Sequence, residues 1–225
     1  MSWKQKIEKS REVWREAQER FGLENIGIGF TGKKDSSVMV HILKQLVEEE
    51  GWQMPTLFFI DHGAHFDEVL EHLERLEEEW DIRVERIKDE RLIEKFNNEK
   101  DDYKKRKILW GTKIALLDKV RKDNKWKAVA SSIRKSESKA REDESFISER
   151  EGHFRVHPML EWEESDVWGY IKENDLSYNP LYDEGYRSIG EKEFTSKVGE
   201  DGEEREGRDQ VKEEVMAELR SMGYF

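Results

Sequence analysis

Two short, nearly continuous apolar runs constrain the first sixty residues most. "NIGIGFTG" at 25–32 and "TLFFIDHG" at 56–63 each end in turn-forming residues, and each leads into a stretch with helical periodicity. Runs this short do not make buried helices; they suit strands covered on both faces. After the first comes "DSSVMVHILKQLVEEE" at 35–50, with Val38, Ile42, Leu43 and Leu46 on one face. After the second comes "HFDEVLEHLERLEEEW" at 65–80, and "DIRVERIKD" at 81–89 then alternates as a third strand does. Repeated strand and helix imply a parallel sheet joined by right-handed crossovers. The expected fold class is α/β: an open, twisted, mostly parallel sheet with helices on both faces and a helical or loop-like C-terminal lid.

The rest of the chain extends this scheme less regularly. Residues 3–20 predict a helix with sparse apolar points at Trp3, Ile7, Val13 and Trp14. The polar stretch 90–108 reads as a helix–loop excursion, 108–122 as a helix, and 125–134 as a strand running into a polar loop. The charged segment 135–150 predicts a mobile helix or loop, 154–160 a short strand, and 161–175 a helix. Glu163 and Glu164 fall in the first turn of that helix, where acidic side chains suit the dipole. Turn residues and aromatic anchors fill 179–190, 195–210 reads as a flexible lid with three glycines, and 211–225 closes with a helix.

Composition removes several classes of function. Charged residues make up 41% of the chain and hydrophobic ones only 35%, yet eight Trp, ten Phe and six Tyr argue for a packed core over disorder. The net charge of -12 argues against nucleic acid as a partner, because the phosphate backbone rewards Lys and Arg. There is no cysteine, which excludes disulfides, thiolate metal sites, iron–sulfur clusters and cysteine nucleophiles. The opening "MSWKQKIEKSREVW" is charged throughout, unlike a secretory leader, and no apolar run approaches a membrane span. A cytoplasmic protein with no membrane association is expected.

The turn "FTGKKDSS" at 30–37 carries the clearest chemistry. A strand that turns tightly into a helix presents backbone N–H groups and the positive end of the dipole, which together hold anions. Gly32 allows close approach or positive φ, Lys33 and Lys34 add charge, and Thr31, Ser36 and Ser37 add hydroxyls. Phosphate or pyrophosphate is the natural guest. Neither Gly-x-x-x-x-Gly-Lys-Ser/Thr nor Gly-x-Gly-x-x-Gly is present; Gly27 and Gly29 lie inside the strand and read as close-packing positions. His62, His65, Asp61 and Asp67 suggest a metal set on paper, but no distant histidine completes it, and no metal site is expected.

These residues resemble a family. "FTGKKDSS" resembles the Ser-Gly-Gly-Lys-Asp-Ser loop of the N-type ATP pyrophosphatases, whose fold is adenine nucleotide α-hydrolase-like. "LFFIDHGAHFDEVLEHLERL", "SSIRKSESKAREDESF" and "VHPMLEWEESDVWGYIKENDLSYNPLYDEGYRSIG" narrow the resemblance. They match the branch holding the adenylylsulfate (APS) and phosphoadenylylsulfate (PAPS) reductases, the ATP sulfurylase small subunit and eukaryotic-type FAD synthetase. "EREGRDQ" and the final "GYF" are most similar to the ATP sulfurylase tail. The resemblance divides the chain into an N-terminal helix at 1–24, a nucleotide-binding α/β region at 25–175, and a lid at 176–225 that belongs to the same domain.

The resemblance also implies roles. Thr31, Gly32, Lys34, Asp35 and Ser36 occupy the pyrophosphate loop, while Lys33 replaces a glycine and would be strained at positive φ. Asp61 sits where the family meets the nucleotide. Arg134, Glu137, Ser138 and Arg141 match an Arg-x-x-Glu-Ser-x-x-Arg loop that reaches phosphate or sulfate oxygens; Arg187, Arg205 and Arg208 are candidates for a basic lid. His157 reads as structural, and Trp162 and Trp168 as core. The reductase signature Ser-Ile-Gly-Cys-x-x-Cys-Thr departs here to "SIGEKEFT", with Glu191 and Phe194 in place of the cysteines. The implied activity is therefore adenylyl transfer from ATP, with Mg²⁺, to a small oxyanion, sulfate first and FMN next. The alternative is a binder of ATP or adenylyl sulfate without turnover, or a reductase-like enzyme that borrows a partner's thiol. A GTPase partner subunit and a homo-oligomer are implied as possible assemblies.

Overall fold

In β1 (Ile26–Gly29) the two faces are chemically opposite, and this alternation organises the protein. Ile26 and Ile28 are fully buried with Val13 and Trp14 of α1 (Trp3–Phe21) and with Val38 and Ile42 of α2 (Lys34–Glu50). Gly27 faces the other way, against the indole of Trp126. The computed structural model that shows this describes residues 3–199 and 202–221. The helix predicted at 211–225 is seen to residue 221 as two short helices, α7 (Gln210–Glu214) and α8 (Met216–Ser221); "GYF" lies outside the described residues.

β2 (Leu57–Asp61) and β3 (Val84–Lys88) follow β1 outward on one side of the sheet, separated by α3 (Asp67–Trp80). The chain then crosses back to place β4 (Ala128–Ala130) on the other side of β1, giving the order β3-β2-β1-β4-β6-β5. Pairings from β3 to β6 (His153–Val156) are parallel, with Ile28 opposite Leu57 on one flank and Ala130 on the other. Below the sheet, Phe58, Trp126 and Val129 pack with Leu117 and Val120 of α5 (Asp102–Asp123). Above it lie α1, α2 and α6 (Glu164–Glu173); Ser10 ties α1 to the segment leading into α6, its hydroxyl accepting from Trp162 Nε1 at 3.0 Å and donating to Pro158 O at 2.7 Å.

Local detail sharpens or changes three expectations. The segment 135–150 is neither a helix nor a single loop: after two 3₁₀ turns at Lys135–Glu137 and Lys139–Arg141 it forms β5 (Ile147–Arg150), an antiparallel edge strand. The signal was the pair of alternating runs around Gly152, whose φ of 72° closes a two-residue turn between Arg150 and His153. The excursion at 90–108 keeps the expected helix–loop form, as α4 (Glu90–Asn98), a break at 99–101 and the start of α5, with Asp89 and Asp101 capping the two N-termini through side-chain acceptors. In the tail, a Cβ on Gly207 would lie 2.2 Å from Ser196 O, so this glycine serves close packing; the amide of Ser196 donates to Gly207 O at 2.8 Å.

A methyl group at Gly27 would lie 2.2 Å from the Trp126 ring, which is itself stacked on Phe58 at 5.2 Å. Gly27→Ala should therefore destabilise by about 1–3 kcal/mol, as overpacking does. Thermal denaturation should show a fall of about 2–4 °C per kcal/mol.

A basic crevice at the carboxyl ends of the strands

The reversal of strand order between β1 and β4 opens a crevice at their carboxyl ends, where open α/β sheets bind ligands. The cavity there is about 310 Å³, and its walls include Gly29, Ile60 and Ala130 from the three central strands. Lys33, Lys34, Lys113 and Lys212 line it, with Arg141, Arg155, Arg205 and Arg208. Asp35 and Glu137 are the carboxylates among the lining residues. In a chain of net charge -12, so cationic a cavity selects an anion.

The loop between β1 and α2 forms as expected in outline. Gly32 has φ 64°, and a Cβ there would press on Leu73 of α3 at 3.3 Å. Lys33 has φ -89°, so the strain expected of a non-glycine residue at this position is absent. Ser36 holds the loop together: its hydroxyl accepts from the amide of Lys33 at 3.2 Å and donates to Lys33 O at 2.9 Å. Thr31 meets the same oxygen through its hydroxyl at 3.0 Å.

Lys34 is 2% exposed and already engaged. Its Nζ donates to Arg187 O at 2.8 Å and to Glu204 Oε1 at 2.7 Å, and its amide donates to Tyr182 Oη at 3.1 Å. Burial alone would lower its pKa, but Asp35, Tyr182 and Glu204 raise it, so it stays charged. Arg134 is fully buried behind the cavity wall. It donates from Nε to Asp35 at 2.6 Å and pairs through Nη2 with the same Glu204 carboxylate. Arg141 and Arg205 share Glu137, and Arg205 also donates to Glu213 at 2.5 Å. Burial would raise the Glu137 carboxyl, but Arg141, Arg205 and Arg134 hold it down at about 2.

Thr31, Lys33, Lys34, Asp35, Ser36, Glu137, Arg141, Arg205 and Arg208 thus come together in the lining, while other predicted residues do not. Asp61 turns its carboxylate to the amide of Gly63 at 3.0 Å, closing a turn. Ser138 caps the second 3₁₀ turn, its hydroxyl accepting from the Ala140 amide at 3.4 Å. Arg187 pairs with Glu164 at 2.5 Å and with Gly202 O, and takes no part in the lining. His62 and His65 sit with ring centroids 3.8 Å apart, and among the described residues no group of three or more His, Asp or Glu converges on a metal position. His157 is structural as expected: it is fully buried, with Nδ1 3.1 Å from Ser131 Oγ. Trp162 is buried core, and Trp168 packs partly buried against it.

Sequence reading missed Lys113, Lys212 and Glu204. Lys113 is one of several charged residues on α5, Glu204 sits in the segment read as a flexible lid, and Lys212 in the helix predicted at 211–225. Only the fold brings them to the crevice.

Residues 25–197 match the model of the phosphoadenosine phosphosulfate reductase domain. The chain belongs to the phosphoadenosine phosphosulfate reductase family. An adenosine 5'-phosphosulfate reductase from Bacillus thuringiensis (strain Al Hakam) is 30% identical over 187 residues, spanning 77% of this chain and 74% of the relative. A phosphoadenylyl-sulfate reductase from Candida auris, solved as a phosphate complex, aligns with TM-score 0.68 at 22% identity over 84% of this chain and 90% of that one. The FMN adenylyltransferase of Candida glabrata in complex with ATP aligns with TM-score 0.68 at 16% identity, over 89% of this chain and 66% of that one. This family member carries Glu191 and Phe194 in "SIGEKEFT" and has no cysteine among its 225 residues. Among the described residues no helix is long and apolar enough to cross a membrane.

All six histidines have lowered pKa values, chiefly through burial; those of His65 and His157 fall to about 3 and that of His72 to about 4. Between these values and the ordinary 6.5 the unfolded chain binds more protons, so stability rises with pH across this window and falls as pH drops below about 6.5. Each buried histidine contributes up to about 1.4 kcal/mol per pH unit at the steepest. Glu137 and Glu144, held at about 2, add their loss only below the ordinary carboxyl value of 4.5. Melting curves between pH 7.5 and 5 should shift steadily downward; a flat profile would contradict the assignment.

Proposed function

We propose that the crevice binds an adenine nucleotide and that the chain transfers adenylyl from ATP to a small oxyanion, with sulfate the favoured acceptor. The observation that carries this reading is the cationic cavity at the strand reversal, in a family member without a thiol. Reduction of an adenylyl sulfate through a covalent sulfur intermediate needs a cysteine that these residues lack. Adenylyl transfer needs no protein nucleophile. An acceptor oxygen attacks the α-phosphorus, the bond from that phosphorus to the bridging oxygen breaks, and pyrophosphate leaves with the electron pair.

The geometry supports an assignment of roles. On this reading Lys34 Nζ meets the leaving pyrophosphate once Glu204 withdraws, and the acceptor enters beside Arg141 and Arg205, which line the crevice. Arg134 works through others, since it is buried against Asp35 and Glu204. Mg²⁺ would arrive on the nucleotide's phosphates, because no resident set of ligands converges among the described residues. No step here depends on it.

Glu204 favours a second reading. It occupies Lys34 and Arg134 together, so a nucleotide must compete with a built-in carboxylate. A protein that binds ATP or adenylyl sulfate without turnover, or that waits for a GTPase or thiol-bearing partner, fits this as well. FMN remains the next acceptor.

Pyrophosphate release from ATP with sulfate, with FMN or with neither separates these readings. Sulfate stimulation is the expected result; tight nucleotide binding with no release under any condition supports the second. Lys34→Ala should weaken ATP binding at least about tenfold, the scale of one lost charge-assisted contact. Glu204→Gln should strengthen binding several-fold, since it frees two cations that a carboxylate now neutralises. Calorimetric titration with a non-hydrolysable ATP analogue checks both.

A further inference from the structure

We propose that Glu191 is a positioning residue for an oxyanion subsite at the far end of the crevice, and that Lys33 is the cation this subsite offers to the ligand. The two lysines of the loop diverge. Lys34 turns to Glu204, while Lys33 faces a different group: Lys113 from α5, Lys212 from α7, and Arg208 and Glu191 from the tail. Lys33, Lys113, Lys212 and Arg208 all line the cavity, whereas Glu191 does not. Glu191 is 2% exposed and lies behind them.

One carboxylate organises three cations from three segments. Glu191 Oε1 accepts from Lys113 Nζ and from Lys212 Nζ, the latter at 3.0 Å, and Arg208 Nη2 lies 3.9 Å from Oε2. Gly190 makes room for this: a Cβ there would sit 2.7 Å from Arg208 Nε. Arg208 is further fixed by donating to Ser188 Oγ and Ile189 O, both at 3.2 Å. Lys33 differs from its neighbours at the end of its side chain: its backbone amide and carbonyl meet Ser36, but its ammonium makes no hydrogen bond or ion pair to any described residue. Burial first, then the charges of Arg208, Lys113 and Lys212, hold its ammonium pKa well below the usual lysine range, against a smaller opposing pull from Glu191. His62 and His65 face the same group and are neutral, so they add no charge.

A ligand that relieves this crowding must bring negative charge and several acceptors at once. Cations reaching one place from four segments do not lie in the plane of a carboxylate. A tetrahedral oxyanion, sulfate or phosphate, presents oxygens in all directions and takes charge-assisted bonds from each. As the seat of the acceptor this subsite rests on the adenylyl transfer proposed above; as a binding site it stands without it.

The test measures binding without turnover. Inorganic sulfate and, separately, a non-hydrolysable ATP analogue are titrated calorimetrically into wild type, Lys33→Met and Glu191→Gln, at mildly alkaline pH in two buffers of different ionisation heat. Wild type should take up a proton with the anion, because the bound charge restores the Lys33 ammonium. Lys33→Met should lose that uptake and bind at least about tenfold more weakly. Glu191→Gln should weaken binding similarly, since its three cations lose their common anchor; where it does not fold, Lys33→Met decides alone. Dependence on Lys33 for sulfate marks a free oxyanion, and dependence for the analogue alone marks a nucleotide phosphate. Proton-neutral binding of both ligands, unchanged by Lys33→Met, overturns the proposal. A negative pyrophosphate assay would leave it intact.

Discussion

Lys34 and Arg134 are buried cations, and the architecture around the crevice depends on the carboxylates that meet them. An unpaired charge in a protein interior costs several kcal/mol, so each must find a partner close by. Asp35 supplies one from the loop itself, and Glu204 supplies the other from a tail nearly 170 residues further along the chain. That long-range contact ties a polar, glycine-containing segment to the loop. Tyr182 and Arg187 join through their own bonds to Lys34, so the tail and the loop are built as one unit.

The same logic repeats at the other end. Glu137 meets Arg141 and Arg205, and Glu191 meets Lys113, Lys212 and Arg208. A chain with net charge -12 therefore concentrates positive charge inward and leaves its excess of acid on the surface. The surface acidity that argues against nucleic acid says nothing about the crevice. Family membership fixes the fold; the chemistry depends on particular side chains, and Glu191 in "SIGEKEFT" is here an ionic strut.

Much of the fold was legible because periodicity reports burial. The alternation of Ile26, Gly27, Ile28 and Gly29, and the apolar face of α2, announced a strand and helix directly. The edge strand β5 was overlooked, because charged residues on a half-exposed strand resemble a loop in composition and mask the signal around Gly152. At the site, residues carried by contiguous motifs were found: Thr31 to Ser36, Glu137 and Arg141 all line the crevice or shape it. Residues whose role comes from tertiary contact were missed or misplaced. Lys113 and Lys212 have no local signature, Asp61 was claimed by a neighbouring amide, and Arg134 was drawn inward by two carboxylates.

The central claim is that the loop after β1 seats a nucleotide's phosphates once Glu204 yields Lys34. The most direct measurement is a crystal structure with a non-hydrolysable ATP analogue. The account predicts phosphate oxygens within hydrogen-bond distance of Lys34 Nζ and the loop amides, with the Glu204 carboxylate moved away. A nucleotide bound elsewhere, or one seated in the crevice while Glu204 still holds both Lys34 and Arg134, would contradict it.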